Sequence, residues 1–264
     1  MGTPQGVRVG AKRSTVPSDS DLRMLPVPDS AAVITPQVSV IIPVFNEEEN
    51  VTQLQEELES ALKNFSYELL FIDDGSQDRT AELIKVGPSV RIVRFAHNTG
   101  QSAAMYAGLV AATGNILVLI DGDLQNDPRD IPRLLTEIDR GADLVCGYRV
   151  KRCDSWFKRI QSDIANGVRS RFTKDGVHDT GCTLKAMRRE CREALIPFNG
   201  MHRFIPALVK GFGYKIIEVP VNHRPRQHGT SKYTFGNRAL RATIDMFGVR
   251  WLLTRQIKFV LKND

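Results

Sequence analysis

The sequence predicts an α/β fold in which a mostly parallel sheet is flanked by helices. Three observations lead to this prediction: five short runs of aliphatic residues, helical segments between them, and polar clusters directly after three of the runs. Strands that alternate with helices form a parallel sheet with both faces covered. A chain of 264 residues is long enough for one large domain with appendages.

The predicted elements follow one another in a regular order. The first strand lies in residues 38–45, and Asn46 is the expected N-cap of a helix with apolar side chains at Val51, Leu54, Leu58 and Leu62. The further strands lie in residues 67–74, 90–96, 116–123 and 143–148. Helices are expected to begin near Asp78, to occupy residues 100–113, and to open with the sequence NDPRD at 126–130.

The two ends of the chain differ from this central region. Residues 1–35 are rich in Pro, Ser, Thr and Gly and lack the apolar core of a signal peptide, so we expect a flexible tail. Residues 36–235 form the predicted α/β domain. Residues 236–264 form a basic amphipathic helical segment, with Leu240, Ile244, Phe247 and Trp251 at helical spacing. This segment suits an anionic bilayer surface, the domain's own sheet or a second copy of the chain in a homo-oligomer.

Charge is distributed unevenly along the chain. Residues 1–148 carry a net charge of −9 and residues 149–264 a net charge of +15, which suggests a metal site in the first part and an anionic partner for the second. A basic nucleic-acid-binding domain is an alternative of another class, but aromatic residues are not interleaved with the cations as single-strand binding requires. Residues 95–120 lack charge, yet Asn and Gly interrupt them, and no membrane span is expected.

Several common site patterns are absent from the sequence. It contains no GxGxxG after the first strand, no GxxxxGK[ST] and no GxSxG, so dinucleotide-binding, P-loop and nucleophile-elbow assignments lack support. The four cysteines show no CxxC spacing, which favours a reduced, cytoplasmic chain. Four scattered histidines, His178, His202, His223 and His228, are expected to be structural rather than metal ligands.

Carboxylates follow the predicted strands at the edge where ligands bind in parallel sheets. Asp73 and Asp74 follow the second strand, and Asp121 and Asp123 follow the fourth. Carboxylates this close repel one another unless a cation or a donor-rich ligand joins them. An Asp-x-Asp pair supplies oxygen ligands to a hard divalent ion and leaves positions open for phosphate.

Seven stretches together resemble the family 2 glycosyltransferases of the GT-A (Rossmann-like) fold, and most of all the polyprenyl- or dolichyl-phosphate sugar transferases. They are VSVIIPVFNEEENV, FIDDGSQDRT, NTGQSAAMYAGL, IDGDLQNDP, GYR, DTGCTLKAMRR and RPRQHGTSKY, in the order of the family and within residues 37–235. As a set these stretches are specific for the fold and for a nucleotide-sugar donor. They are less specific for the acceptor.

The resemblance implies a donor site and a metal site. Pro43, Phe45 and Glu47 would border the base and ribose, and Asp74 or Asp73 would read the nucleobase. The metal ligands for Mg²⁺ or Mn²⁺ on the diphosphate would be Asp121, Asp123 and Gln125. Arg226 and Lys232 would close over the diphosphate on a mobile loop with a hinge at Gly229.

The resemblance also implies an acceptor site for an undecaprenyl or dolichyl phosphate. Arg149, with Lys158 or Arg159 and Ser162, would hold the acceptor phosphate. A phosphate oxyanion needs no general base, whereas a glycan or small-molecule hydroxyl does. Asp179 is the candidate base for a hydroxyl acceptor, or else it is structural, as a cap or as the partner of a neighbouring Arg.

Relatives that use a hydroxyl often carry an Asp in the segment that matches GCTLKAM, and Cys182 stands at that place here. This departure from the family pattern favours a lipid-phosphate acceptor. We expect in-line attack by the lipid phosphate with inversion at the anomeric carbon, on the cytoplasmic face of a membrane that the enzyme contacts peripherally.

Overall fold

The computed structural model describes residues 35–150, 172–173, 175–225 and 236–256. The strands are β1 (Val38–Val44), β2 (Tyr67–Asp73), β3 (Val90–Arg94), β4 (Ile116–Leu119), β5 (Leu144–Arg149), β6 (Lys185–Arg188) and β7 (Ile216–Val221). The helices of these residues are α1 (Val51–Ala61), α2 (Thr80–Leu83), α3 (Gln101–Ala111), α4 (Ile131–Asp139), α5 (Ile205–Gly211) and α6 (Gly236–Thr254).

The strands form one mostly parallel sheet in the order β3-β2-β1-β4-β6-β5-β7. β1 pairs in parallel with both β2 and β4, β2 pairs in parallel with β3, and β5 pairs in parallel with β7. Only β6 runs antiparallel to its neighbours β4 and β5 within the described sheet. The predicted α/β sheet is confirmed, and the carboxyl ends of its parallel strands share one edge.

Two apolar clusters cover the two faces of the sheet. Alternation along β1 sends Val40 and Ile42 into one cluster and Ile41 into the other, as the two-residue period of a strand requires. The first cluster includes the buried side chains of α1 and α4, and the second includes those of α3 and α5. Burial on both faces explains why the strands read as continuous aliphatic runs.

Two local predictions were incomplete or wrong. Asn46 is not an N-cap, because α1 begins at Val51 and Asn46 adopts a left-handed φ of 53°. Its side-chain oxygen instead accepts a hydrogen bond from the backbone N–H of Gln77 at 2.8 Å, which ties the end of β1 to the loop after β2. The strands β6 and β7 were not predicted.

The C-terminal helix α6 packs on the second apolar cluster through side chains that the sequence did not single out. Val249 is buried in the second cluster, and Met246, Leu252 and Leu253 pack against that cluster. The predicted apolar positions Ile244, Phe247 and Trp251 are exposed by 62%, 57% and 64%. α6 therefore has one apolar face on the core and three large apolar side chains pointing away from it.

Candidate active site

The turn after β4 lies against the end of β1. A Cβ atom added at Gly122 would lie 2.9 Å from Val44 Cγ1 and 3.2 Å from the carbonyl oxygen of Pro43, so this close approach requires glycine. Leu124 in the same turn has a left-handed φ of 60°, a strained conformation for leucine, and its side chain is buried. The packing of this turn fixes the carboxylates of Asp121 and Asp123 beside the end of β1.

Asp121 is held by two uncharged donors. Its Oδ1 accepts a hydrogen bond from Gln101 Nε2 at 2.8 Å, and its Oδ2 accepts one from Thr183 Oγ1 at 2.5 Å. Burial and the charge of Asp123 raise the pKa of Asp121 to about 6, although these bonds and Lys185 act in the opposite direction. The surroundings orient this carboxylate without neutralising it.

Asp127 in the same segment has the opposite environment. Arg129 Nη2 lies 2.6 Å from Asp127 Oδ2, and Arg224 Nη2 lies 2.8 Å from Asp127 Oδ1. Burial opposes ionisation of Asp127, but the hydrogen bonds from Arg129 and Arg224 outweigh it and lower the pKa to about 2. The role of Asp127 is therefore structural, because both of its carboxylate oxygens bind guanidinium groups.

Asp123 and Gln125 lie between Asp121 and Asp127 in the sequence. Asp123 Oδ1 accepts a hydrogen bond from the backbone N–H of Gln125 at 3.2 Å. The carbonyl oxygen of Gln125 accepts one from the backbone N–H of Arg224 at 2.8 Å. The second bond joins the segment that follows β7 to the turn after β4. It does so at Arg224, two positions before the predicted diphosphate ligand Arg226.

The carboxylates at the end of β2 are bound to neighbouring loops. Asp73 accepts hydrogen bonds from the backbone N–H of Ser76 at 2.9 Å and from Arg94 Nε at 3.3 Å. Asp74 accepts three, from Asn98 Nδ2 at 3.0 Å and from the backbone N–H groups of residues 99 and 100 at 2.7 and 2.8 Å. Burial raises the pKa of Asp74, although these backbone bonds act against the shift. The carboxylate of Asp74 therefore orders the turn before α3.

The Glu47 side chain, just after β1, also lies close to the turn after β4. A Cβ added at Gly122 would lie 3.7 Å from Glu47 Cγ. The Oε2 atom of Glu47 accepts a hydrogen bond from Asn50 Nδ2 at 2.7 Å, and its backbone N–H donates to Thr80 Oγ1 at 2.7 Å. Pro43 and Phe45 are partly buried in the same β1 end. Pro43 and Glu47, two of the predicted donor residues, therefore lie beside the turn that carries the predicted metal ligands.

Arg149 at the end of β5 forms a two-pronged ion pair with Asp179. Arg149 Nε donates to Asp179 Oδ2 at 2.7 Å and Arg149 Nη2 donates to Asp179 Oδ1 at 2.9 Å. The backbone N–H of Arg149 also donates to Asp179 Oδ2 at 3.2 Å. Of the two roles open for Asp179 in the sequence, the geometry shows the pairing with arginine.

One short segment connects this ion pair with the carboxylate of Asp121. Residues 179–183 carry Asp179 at one end and Thr183 at the other, and Lys185 follows in β6. The ammonium group of Lys185 is buried and donates to the carbonyl oxygen of Cys182. The same stretch of chain therefore contacts Arg149 at the end of β5 and Asp121 after β4.

The two carboxylates after β4 fit a divalent cation. Asp121 and Asp123 offer the hard oxygen ligands that Mg²⁺ and Mn²⁺ take, and burial together with the charge of Asp123 raises the pKa of Asp121. Among the described residues no group of three or more His, Cys, Asp or Glu side chains is arranged as a metal site. The remaining ligands would have to come from Gln125, phosphate oxygens or water.

Some predicted site residues lie outside the described part of the chain, and the structure reveals others that the sequence did not single out. Arg226, Lys232, Lys158, Arg159 and Ser162 lie outside the described residues, as does the hinge residue Gly229. The newly identified contacts come from Gln101, Thr183 and Arg224. All three stand inside matched stretches, NTGQSAAMYAGL, DTGCTLKAMRR and RPRQHGTSKY, but no spacing rule joins positions 101 and 183 to position 121.

The family model for glycosyl transferase family 2 matches residues 39–195, from the second residue of β1 to beyond β6. The chain belongs to this family. The matched region contains every described carboxylate of the candidate site, and Arg149 as well. The described structure agrees with the GT-A assignment, since its mostly parallel sheet is flanked by helices.

Two relatives of this family 2 protein are enzymes named for prenyl-phosphate substrates or products. The undecaprenyl-phosphate 4-deoxy-4-formamido-L-arabinose transferase of Edwardsiella ictaluri is 39% identical over 203 residues, or 74% of this chain. The dodecaprenyl-phosphate galacturonate synthase of Rhizobium johnstonii is 39% identical over 228 residues, or 82% of this chain. The matches span 62% and 67% of the lengths of these relatives.

Solved structures of glucosyl-3-phosphoglycerate synthase from Mycobacterium tuberculosis share the fold. The complex with Mn²⁺, UDP and phosphoglyceric acid aligns with a TM-score of 0.63 at 20% identity, over 88% of this chain and 81% of that one. The complex with Mn²⁺, UDP and glucosyl-3-phosphoglycerate aligns with a TM-score of 0.61 at 21% identity, over 81% and 80%. At this identity the likeness concerns architecture alone.

Proposed function

We propose that this family 2 protein transfers a sugar from a UDP- or GDP-sugar to a polyprenyl phosphate, with inversion at the anomeric carbon. The single observation that carries the proposal is the arrangement around residues 179–183. This segment holds a metal-ligand candidate, Asp121, at one end and the cation Arg149 at the other. A divalent cation held by Asp121 and the guanidinium group of Arg149 would supply the positive charge that a departing diphosphate and an arriving phosphate need.

The donor part of the proposal rests on the carboxylates after β2 and β4. Asp121 and Asp123 would hold Mg²⁺ or Mn²⁺, which offsets the negative charge that develops on the departing diphosphate. Pro43, Phe45 and Glu47 would border the base and ribose, with Asp74 or Asp73 at the base. The solved structures that share the fold contain UDP with Mn²⁺, which supports this assignment.

The acceptor part rests on the names of the relatives and on the state of Asp179. Both curated relatives are named for prenyl phosphates. Asp179 has both carboxylate oxygens bound to Arg149, so the carboxylate is poorly placed to take a proton from a hydroxyl group. A phosphate oxygen is ionised near neutral pH and attacks without a base. Arg149, with Lys158 or Arg159 and Ser162, would bind the other phosphate oxygens.

The bond changes of the proposed reaction balance without a further reactant. An oxygen of the lipid phosphate forms a bond to the anomeric carbon of the sugar. The bond from that carbon to the diphosphate breaks, and its electron pair leaves with the nucleoside diphosphate. Arg226 and Lys232 would bind the diphosphate as it leaves.

An assay in detergent tests the proposal. The full chain, Mn²⁺ and undecaprenyl phosphate are incubated with a panel of UDP- and GDP-sugars, and both sugar-lipid and free nucleotide are measured. We expect sugar-lipid to form and nucleotide release to require the lipid. Asp123→Asn should abolish both signals, whereas Asp139→Asn, at an exposed position on α4, should leave them unchanged. Nucleotide release that is independent of lipid phosphate contradicts the acceptor assignment.

A glycan or small-molecule hydroxyl acceptor is the alternative that retains the same donor. Two variants distinguish the acceptors, because a phosphate needs the cation and a hydroxyl needs the base. With a phosphate acceptor, Arg149→Ala should abolish transfer and Asp179→Asn should retain a measurable part of it. The reverse order of losses favours the hydroxyl acceptor.

We also propose that the protein meets its lipid substrate peripherally, at the cytoplasmic face of a membrane. No helix of the described ranges has both the length and the apolar character needed to cross a bilayer. The exposed side chains Ile244, Phe247 and Trp251 of α6 form a stripe suited to the headgroup boundary. The ring of Phe247 contacts Phe172 edge-on, with centroids 4.9 Å apart, so the apolar surface extends beyond α6.

A further inference from the structure

We infer that Gln101 and Thr183 form a clamp that fixes the orientation of the Asp121 carboxylate for the metal, and that both are positioning residues for the proposed transfer. Nothing in the sequence patterns assigns them a role. The inference rests on the proposed metal site. It concerns how the chain prepares that site before a metal or donor arrives.

The first step of the argument is the geometry of the two contacts. Gln101 Nε2 binds one oxygen of Asp121 at 2.8 Å, and Thr183 Oγ1 binds the other at 2.5 Å. Hydrogen bonds to both oxygens prevent the carboxylate from rotating about its Cβ–Cγ bond. Each oxygen keeps a second lone pair with which it can bind a cation.

The second step is the choice of donors. An amide and a hydroxyl orient the carboxylate but leave its negative charge in place. Asp127 and Asp179, by contrast, accept their hydrogen bonds from arginine side chains, which are positively charged. Of these three acids, the one held by neutral groups is the one beside Asp123, where a divalent cation needs a charged ligand. Outer contacts of this kind typically change metal affinity by roughly 10- to 100-fold.

The third step is how the chain places Gln101. Gly100, directly before it, has φ 104° and ψ 154°, a backbone conformation that residues with a side chain rarely adopt. This turn aims the N–H of Gly100 at Asp74 and starts α3 at Gln101. The next residue, Ser102, is buried, and its Oγ lies 2.8 Å from His202 Nδ1. The backbone of Gln101 is therefore held on both sides, which places its side chain at the start of α3 facing Asp121.

Mn²⁺ binding to the purified full chain tests the clamp without relying on turnover. Titrations in the presence of UDP and of GDP are followed by electron paramagnetic resonance, which reports free and bound Mn²⁺ separately. Thr183→Val and Gln101→Leu keep the side-chain size and remove the donor, and each should weaken Mn²⁺ binding by roughly 10-fold or more. Thr183→Ser, which keeps the hydroxyl, should bind within about threefold of the wild type.

Matched controls separate the clamp from general effects of the substitutions. Thr136→Val on α4 and Gln53→Leu on α1 remove the same groups at exposed positions, and should leave Mn²⁺ affinity unchanged. In an Asp121→Asn background, adding Thr183→Val should change the remaining affinity no further, because the clamp acts only through Asp121. An additional loss in that background contradicts the inference.

The remaining outcomes are also decisive. If the wild type binds Mn²⁺ and both single variants bind it equally well, the clamp is wrong and the metal site stands. If the wild type binds no Mn²⁺ with either nucleotide, the metal site of the proposed function is wrong and the clamp fails with it. If the variants bind normally once Mn²⁺ is saturating and then turn over with the wild-type kcat, the role is confined to metal affinity, as the inference requires.

Discussion

Burial and the neighbouring carboxylate of Asp123 disfavour the ionised form of Asp121. This predicts how a substitution at Asp121 changes the stability of the metal-free protein. The pKa of Asp121 is raised to about 6 by burial and by Asp123, so the folded state holds a proton more tightly than the unfolded state. The resulting instability is absent below the unfolded pKa of 3.8, grows as the pH rises to about 6, and stays constant above that. Asp121→Asn should therefore stabilise the metal-free protein by about 1–2 kcal/mol at pH 8, since partial exposure reduces the full effect of the shift.

Urea unfolding in EDTA at pH 8 and at pH 4 measures this effect. The gain should shrink at pH 4, where wild-type Asp121 is protonated in the folded state. Asp139→Asn is the matched control at an exposed carboxyl group and should change the free energy of unfolding by less than about 0.5 kcal/mol. A destabilised Asp121→Asn protein at pH 8 contradicts the assigned environment.

Gly122 gives a second prediction, because its lack of a side chain brings the two candidate ligands to β1. In Gly122→Ala the new methyl would lie 2.9 Å from Val44 Cγ1, so the turn has to shift. We expect a loss of roughly 1–3 kcal/mol in stability and at least a tenfold weaker Mn²⁺ affinity. Gly87→Ala is the control, since a Cβ there meets nothing within 4 Å. Calorimetric titration and thermal unfolding of both variants check the two effects, and wild-type metal affinity in Gly122→Ala would disprove the packing argument.

At the scale of elements, the sequence predicted the parallel strands well because their burial on both faces makes them aliphatic throughout. It missed β6, whose four residues Lys185–Arg188 include two cations and show no alternation. The buried amine of Lys185 is accommodated there by a carbonyl acceptor, which only the folded chain supplies. The carboxylate ends of β2 and β4 were also predicted, but their partners were not. Contacts such as Gln101 with Asp121 join residues 20 positions apart in sequence through tertiary packing.

The exposed stripe of α6 gives a prediction at this scale. Phe247 and Trp251 contribute little to the core, because more than half of each side chain is exposed. The double variant Phe247→Ser/Trp251→Ser should leave thermal stability nearly unchanged and weaken binding to anionic vesicles by roughly tenfold or more, since each buried aromatic contributes about 1.5–3 kcal/mol. Vesicle co-sedimentation measures the binding.

The control for the stripe is an exposed apolar residue elsewhere. Val86 is 63% exposed in the loop before β3, and Val86→Ser should bind vesicles like the wild type. Equal losses in the two proteins would show that general surface hydrophobicity, and not α6, drives binding. Unchanged binding in the double variant would remove α6 from the proposed membrane contact.

At the scale of the whole molecule, the uneven charge predicts a salt-sensitive membrane contact. Residues 149–264 carry +15 and residues 1–148 carry −9, and α6 contains a single acid, Asp245, which lies near Gly200 rather than in the exposed stripe. Each Lys or Arg near an anionic surface contributes about 1 kcal/mol, and the Debye length falls below about 8 Å above physiological salt. Binding to vesicles with a third of anionic lipid should therefore weaken at least tenfold between 50 and 300 mM NaCl.

The same titration separates the membrane contact from nucleic-acid binding. The aromatic contribution of α6 does not depend on ionic strength, so the Phe247→Ser/Trp251→Ser protein should bind more weakly than the wild type at every NaCl concentration, with the same slope against salt. DNA offers phosphates but no apolar layer, so little DNA should be retained on the filter at 150 mM NaCl. The retained amount should be the same for the wild type and the double variant. Tight DNA binding with a steep salt slope, together with weak vesicle binding, would instead assign the basic half of the chain to nucleic acid.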